Sequence, residues 1–151
     1  MVFRLYQKQK LVSMNYEKKL MIFVVEDNPI YQQLIARQLE PLTYSLHLFS
    51  SGEDCIAKLK SAAPDMIVMD NSLDGELSGL QTVKRIRETN GELYVLVFST
   101  EPDLDSTENL RFYGNFDYVE KKETAFALLR DKVFLSDVYR IKESGRKQIV
   151  K

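Results

Sequence analysis

The chain has 151 residues, of which 44% are hydrophobic and 28% charged, with 6 Gly and 4 Pro. This composition is typical of one globular domain and excludes collagen-like, low-complexity and wholly disordered chains. A transmembrane helix needs about 20 apolar residues, and no apolar run reaches that length. The N-terminus lacks the apolar core of a secretory signal. A single cysteine and a single histidine exclude an internal disulfide and a histidine metal cage, so a bound metal needs oxygen ligands. We therefore expect a soluble, cytoplasmic protein.

Charge is distributed unevenly along the chain. Segments 1–19 and 142–151 together hold nine basic and two acidic residues, a net +7, whereas residues 20–141 carry −8. An acidic domain does not favour nucleic-acid binding, and short basic tails are more often solvated than bound to phosphate or lipid. The division predicts a basic N-terminal extension, a domain over 20–141 and a basic C-terminal tail. Met14 leaves an internal translation start open.

The first half of this domain alternates apolar runs with helical patterns. Residues 20–25 form a continuous apolar run, typical of a strand covered on both faces. The Asn-Pro pair at 28–29 then supplies an N-cap and a first helical residue, and Pro41 is predicted to end that helix. A second strand over 45–49 precedes a helix over 51–60.

The second half repeats the alternation. In chain order the predicted elements are a strand at 66–69, a helix marked by apolar residues between 80 and 86, a strand at 94–98, a weakly patterned helix at 107–113, a strand at 116–119 and a helix over 126–141. Parallel strands need crossover connections, which these helices supply. The order predicts an α/β fold with a doubly wound, five-stranded parallel sheet and helices on both faces.

Polar side chains follow four of the predicted strands. Glu26 and Asp27 follow the first strand and Asp70 the third, while Ser99 and Lys121 follow the fourth and fifth. Ligands of such sheets bind beyond the carboxyl ends of the strands. Carboxylates at close range repel one another unless a cation is present, and Mg²⁺ prefers oxygen ligands. A lysine and a hydroxyl beside them suit a phosphoryl group, which a carboxylate can accept as an aspartyl phosphate.

These segments resemble the receiver domain of two-component response regulators, in the single-domain form of chemotaxis regulators. The matching stretches are VVEDN at 24–28, IVMDNSLDGELSG at 67–79, VLVFST at 95–100 and FDYVEK at 116–121. The resemblance implies a flavodoxin-like fold with strand order 2-1-3-4-5. It also implies a phospho-acceptor signalling protein rather than an enzyme.

The resemblance implies a role for each site residue. Asp70 matches the phospho-accepting aspartate and Lys121 the phosphate-binding lysine. Ser99 matches the switch hydroxyl that bonds a phosphoryl oxygen, and Tyr118 the aromatic switch. Asp27 matches a direct Mg²⁺ ligand and Glu26 a ligand through water. The implied metal site consists of Glu26, Asp27, Asp70 and the main-chain carbonyl of Ser72.

Four positions depart from the family pattern. Gly79 lies one residue further from Asp70 than is usual, so the loop between them carries an extra residue. Asp74 stands where proline is common, Thr100 where a small residue is common, and Lys122 where a proline usually follows the lysine. These departures leave the rate of phosphotransfer and the shape of the loop open.

The expected function is that of a stand-alone receiver in a phosphorelay. The phosphoryl donor is a sensor histidine kinase or a histidine phosphotransfer protein, and the output is a downstream protein, with no nucleic-acid or membrane partner. A phosphorylation-dependent homodimer stays open. The alternative is a degenerate receiver that binds proteins without being phosphorylated. A phosphatase of the haloacid dehalogenase type is disfavoured, because such enzymes need a second aspartate where this chain has Ser72.

Overall fold

Five strands form one parallel sheet in the order 2-1-3-4-5, which confirms the expected fold and topology. The computed structural model describes residue 4 and the ranges 20–100 and 115–135. The strands are β1 (Leu20–Val25), β2 (Thr43–Phe49), β3 (Met66–Met69), β4 (Tyr94–Ser99) and β5 (Phe116–Glu120).

Four helices connect or follow these strands within 20–100 and 115–135. They are α1 (Pro29–Leu39), α2 (Gly52–Leu59), α3 (Gly79–Thr89) and α4 over 125–135. The helix expected at 107–113 and the part of the last helix beyond 135 lie outside the described residues. None of the helices in the described ranges is both long and apolar enough to span a membrane.

The local sequence accounts for where α1 begins and ends. The Asn28 side chain accepts hydrogen bonds from the N–H groups of Ile30 and Tyr31, so it caps the helix as predicted. Pro41 lies inside a 3₁₀ turn, Glu40–Leu42, that leads directly into the next strand. The second strand therefore begins at Thr43, two residues earlier than expected.

Each face of the sheet is covered by its own apolar core. Ile22 and Val24 of β1 pack in the cluster that includes α1 and α4, whereas Phe23 and Val25 pack in the cluster that includes α2 and α3. Successive side chains of a strand point to opposite faces, so a strand covered on both sides reads as one continuous apolar run. Cys55 belongs to the second core, and burial raises the pKa of its thiol to about 12.

The start of α3 packs directly against the end of β3. The Gly79 N–H donates to the Asn71 carbonyl at 3.0 Å. A Cβ added to Gly79 would overlap the Asp70 carbonyl oxygen and lie 2.7 Å from the Asn71 Cα. Both neighbours are backbone atoms at the end of a buried strand, so they cannot simply move aside. This close approach requires glycine. Gly79 packs against the end of β3 although it lies one residue further from Asp70 than is usual in the family.

Replacing Gly79 with alanine should destabilise the fold. The added methyl group overlaps backbone, and overpacking of this kind typically costs about 1–3 kcal/mol. We therefore expect Gly79→Ala to lower the free energy of unfolding in urea by about 2 kcal/mol. Gly91→Ala is the matched control, because a Cβ there meets nothing within 4 Å. Equal stability of the two variants would show that the contact at Gly79 is unimportant.

Candidate functional site

Three carboxylates meet at the carboxyl ends of β1 and β3. Glu26, Asp27 and Asp70 each place one carboxylate oxygen within 4.8 Å of the others. Glu26 and Asp70 are 1% and 5% exposed, and Asp27 is half-buried. The Asp70 N–H donates to the Val25 carbonyl at 2.9 Å, so the β1–β3 pairing reaches the site itself. Ionised carboxylates at this separation repel one another, and the cluster needs a cation or a proton.

The ammonium of Lys121 supplies one positive charge to this cluster. Its Nζ lies 2.7 Å from Glu26 Oε2 and 3.5 Å from Asp70 Oδ2. The lysine side chain is 5% exposed. Its position follows from the β5 register, since Ser99 pairs with Glu120 and the Lys121 N–H donates to the Ser99 carbonyl at 2.8 Å. One ammonium still leaves the three carboxylates with excess negative charge when all are ionised.

Burial dominates the ionisation of Glu26. Desolvation raises the pKa of Glu26 to about 7, and the nearby charge of Asp70 acts in the same direction. Hydrogen bonds from Lys121 and from the Asn28 N–H, at 3.0 Å, oppose this increase without cancelling it. A further cation would favour the ionised form. The oxygen-only donor set and its excess charge therefore fit a hard divalent cation such as Mg²⁺.

The end of β4 contributes a buried hydroxyl group. Ser99 is fully buried, and its Oγ has no hydrogen-bond partner among the described residues. Its carbonyl accepts a hydrogen bond from the Tyr118 hydroxyl at 3.3 Å as well as the one from Lys121. A buried hydroxyl without a partner costs about 1–3 kcal/mol. Within the described ranges Ser99 thus keeps an unpaired donor at the end of β4, the strand next to β3, whereas the neighbouring Thr100 is exposed.

The loop after β3 uses two of the three carboxylates as acceptors. The Ser72 N–H donates to Asp70 Oδ1 at 3.2 Å, and the Asp74 N–H donates to Asp27 Oδ2 at 3.0 Å. Both loop residues are exposed. The structure therefore brings the Ser72 backbone to the acidic cluster. Asp74 reaches the cluster through its backbone N–H, so this departure from the family pattern adds a donor there as well as a charge.

The far side of the loop is anchored by Glu53 in the first turn of α2. Its Oε1 accepts a hydrogen bond from the Leu77 N–H at 2.7 Å, and Oε2 would lie 2.8 Å from a Cβ on Gly75. The N–H of Glu53 itself, with weaker help from Leu77, holds the pKa of this carboxyl below its usual range. The sequence pattern places Glu53 only in the predicted helix over 51–60, because a contact across 24 residues leaves no local signal.

An aromatic ring that sequence reasoning did not assign to the site lies against Lys121. The ring centroid of Tyr31, on α1, is 4.2 Å from the Lys121 Nζ. Phe98 of β4 contributes a second ring at 5.6 Å. The pattern of α1 indicated only a helix here, since a ring and an ammonium that meet across the fold produce no periodicity. Lys122, by contrast, is exposed and pairs with Glu120 at 2.8 Å.

Comparisons with known proteins match this chain to one family and to its members. A family model described as the response regulator receiver domain matches residues 22–133. The DNA-binding transcriptional regulator NtrC of Salmonella typhimurium is 28% identical over 100 residues, which cover 66% of this chain and 21% of NtrC. A protein-glutamate methylesterase/protein-glutamine glutaminase of Trichodesmium erythraeum is 30% identical over 125 residues, covering 76% of this chain and 35% of that protein. The chain spans well under half the length of either relative.

Solved structures give the same result. The beryllofluoride-activated receiver domain of DrrB, from Thermotoga maritima, is 28% identical with a TM-score of 0.64, covering 78% of this chain and 98% of that one. A CheY-like receiver domain protein from Methanospirillum hungatei has a TM-score of 0.73 over 83% of this chain and 99% of that one. At 16% identity the second likeness shows the fold alone.

Removing the charge of Glu53 should change how stability depends on pH. A carboxyl group with a lowered pKa stabilises the folded state above its unfolded value, near 4.5, and this contribution is lost as pH falls through the folded value. We expect Glu53→Gln to be less stable than the wild type at pH 7. We also expect its stability to fall less on acidification to about pH 3, measured by urea unfolding.

Glu76→Gln is the control for this prediction. Glu76 lies exposed in the same loop, so its replacement should leave the pH profile close to that of the wild type. Identical profiles for the wild type and Glu53→Gln would contradict the anchoring role of Glu53.

Proposed function

Because this chain belongs to the response regulator receiver domain family, we propose that it accepts a phosphoryl group on Asp70 from a phosphohistidine. The observation that carries the proposal is the buried Ser99 hydroxyl without a partner among the described residues. Ser99 is the last residue of β4. This strand lies between β3, which Asp70 follows, and β5, which Lys121 follows. A nucleophilic carboxylate, a free donor and an ammonium on adjacent strand ends suit a tetrahedral oxyanion.

The proposed transfer begins at the Asp70 carboxylate. One of its oxygens forms a bond to phosphorus while the P–N bond of the phosphohistidine breaks, and the electron pair returns to the imidazole nitrogen. Lys121, 3.5 Å from Asp70, balances negative charge on the phosphoryl oxygens. The Ser99 hydroxyl donates to one of them. Water then hydrolyses the aspartyl phosphate, which releases inorganic phosphate and restores the Asp70 carboxylate. The chemistry proposed for this phospho-acceptor is therefore phosphotransfer followed by hydrolysis.

We assign the Mg²⁺ ligands to the acidic cluster and the adjoining loop. Asp27, Asp70 and the main-chain carbonyl of Ser72 are proposed as direct ligands, and Glu26 as a ligand through water. Glu26 already accepts hydrogen bonds from Lys121 and the Asn28 N–H, which supports its less direct role. When bound, Mg²⁺ neutralises repulsion among the carboxylates and charge on the phosphoryl group.

Ser99 and Tyr118 are proposed to convert phosphorylation into a change of surface. When a phosphoryl oxygen accepts a hydrogen bond from the Ser99 hydroxyl, Ser99 is proposed to move. The Ser99 carbonyl also accepts a hydrogen bond from the Tyr118 hydroxyl, so this movement would reach Tyr118. Tyr118 is half-buried, and its ring is proposed to move between a packed and a solvent-facing position. The phosphoryl group then shifts an equilibrium between two arrangements of the face around β5.

The proposed partners follow from this chemistry. A sensor histidine kinase or a histidine phosphotransfer protein supplies the phosphoryl group in the cytoplasm, and a downstream protein binds the altered face. A phosphorylation-dependent homodimer is one form of that output. The receiver unit is proposed to span 20–141, flanked by the basic segments 1–19 and 142–151.

Phosphorylation should require Asp70 and Mg²⁺. We expect the wild type, incubated with acetyl phosphate and Mg²⁺, to gain the mass of one phosphoryl group, and Asp70→Asn to gain none. Asp54→Asn is the control, because it removes an exposed aspartate from α2 and should be modified like the wild type. A folded wild type that gains no mass and gives no Mg²⁺-dependent NMR change with beryllofluoride would favour the degenerate receiver.

Removing the Ser99 hydroxyl should separate stability from function. Because the hydroxyl has no partner among the described residues, Ser99→Ala should keep the free energy of unfolding or raise it by up to about 1 kcal/mol. The initial rate of phosphorylation by acetyl phosphate should fall by about tenfold or more, since a donor to the phosphoryl group is lost. Urea unfolding and intact mass test the two effects. A destabilised variant with an unchanged rate would assign Ser99 to packing instead.

A further inference from the structure

Aromatic rings hold the Lys121 ammonium in addition to the carboxylates. Tyr31 and Phe98 place their ring centroids 4.2 Å and 5.6 Å from Nζ. A cation is attracted to a ring face over a distance of about 6 Å from the centroid, and both rings lie within it. The lysine side chain is 5% exposed, so little water competes for the ammonium. The nearer ring, that of Tyr31, therefore has a strong electrostatic contact with the cation.

A third ring, that of Phe126, packs against both of these rings. The three residues Tyr31, Phe98 and Phe126 together form an aromatic wall. Phe126 stacks on Tyr31 with 6.3 Å between centroids and 21° between planes, and tilts against Phe98 at 5.5 Å. The three residues come from α1, β4 and α4. Because packed side chains stay in few rotamers, Phe126 restrains both of the rings that face the ammonium.

Glu26 competes with Asp70 for the Lys121 ammonium. The ammonium is 2.7 Å from Glu26 but 3.5 Å from Asp70, so the stronger pairing is with Glu26. A further acidic side chain near Lys121 would add repulsion to the cluster and to an incoming phosphoryl group. A neutral ring attracts the ammonium without adding a formal negative charge. The wall thus stabilises the cation in a way that is compatible with an anionic substrate.

We propose that Tyr31 is a positioning residue for phosphoryl transfer, with its ring face holding the Lys121 ammonium within reach of Asp70. This inference rests on the proposed function, since it assigns Tyr31 to the lysine that faces the phosphoryl group. Tyr31 acts through Lys121 and through its ring, so the aromatic face matters and the hydroxyl does not.

The first test compares initial rates of phosphorylation by acetyl phosphate with Mg²⁺, followed by intact mass. Tyr31→Leu should lower the rate by about tenfold, which corresponds to about 1.4 kcal/mol. Tyr31→Phe keeps the ring and should stay within about twofold of the wild type. Tyr44→Leu is the matched control, because Tyr44 is 61% exposed on β2. Tyr31→Met replaces Tyr31→Leu if urea unfolding shows that the leucine variant does not fold.

A double-mutant comparison distinguishes positioning of Lys121 from general packing. In a Lys121→Ala background, Tyr31→Leu should cause no further loss of rate, because the group it positions is absent. A full additional loss in that background would assign Tyr31 to packing and overturn the proposal. An equal rate for Tyr31→Leu and Tyr31→Phe, in folded protein, would overturn it too.

A second readout does not depend on phosphorylation. Protons above a ring face are shifted upfield in NMR spectra, so the ε-methylene of Lys121 should show this shift in the wild type and in Tyr31→Phe. The shift should be lost in Tyr31→Leu. A wild type that shows the shift but takes up no phosphoryl group would overturn the proposed function while preserving the contact. A phosphorylated wild type without the shift would overturn the role of Tyr31 and leave the proposed function standing.

Discussion

Repulsion among three carboxylates at the ends of β1 and β3 is the constraint around which the site is arranged. The sheet order makes these ends neighbours, and Glu26, Asp27 and Asp70 follow from them within 4.8 Å of one another. Lys121 offsets part of the charge, but burial still raises the pKa of Glu26 to about 7. Three features compensate for this charge. Strand β5 positions Lys121, the aromatic wall contacts its ammonium, and the loop after β3 donates backbone hydrogen bonds to Asp27 and Asp70.

The extra residue in the loop after β3 does not prevent the loop from making contacts at both of its ends. Gly79 still lies against the backbone of Asp70, and residues 74–76 are exposed. Glu53 accepts the Leu77 N–H on the far side of the loop, while Asp27 accepts the Asp74 N–H on the near side. The number of residues between acceptor and glycine is therefore less important than the close approach at the glycine.

Sequence alone predicted much of the fold and the membership of the acidic cluster, for identifiable reasons. All four residues of β3 are buried, so an uninterrupted apolar run marked the strand. The carboxyl ends of parallel strands meet at one edge, which brought Glu26 and Asp70 together in the prediction. The strand order came from the family resemblance, since periodicity does not specify which strands are neighbours. The contacts of Glu53 and Tyr31 were missed because each joins residues far apart in sequence, and side-chain packing has no local pattern.

The features of the site that oppose stability are the ones a phosphoryl group and a cation would relieve. A buried hydroxyl without a partner among the described residues is unfavourable, and so is the burial of an ionised carboxyl group, which raises the pKa of Glu26 to about 7. A ligand shifts a conformational equilibrium only as far as it binds one state better than the other. The proposed phosphoryl group gains the Ser99 hydroxyl in the state where that donor turns toward Asp70. Under the proposed function the same movement would reach Tyr118, because the Ser99 carbonyl accepts the Tyr118 hydroxyl bond. Under the proposed function, the phosphoryl group and the cation give these two buried groups partners, and the difference in binding free energy shifts the equilibrium.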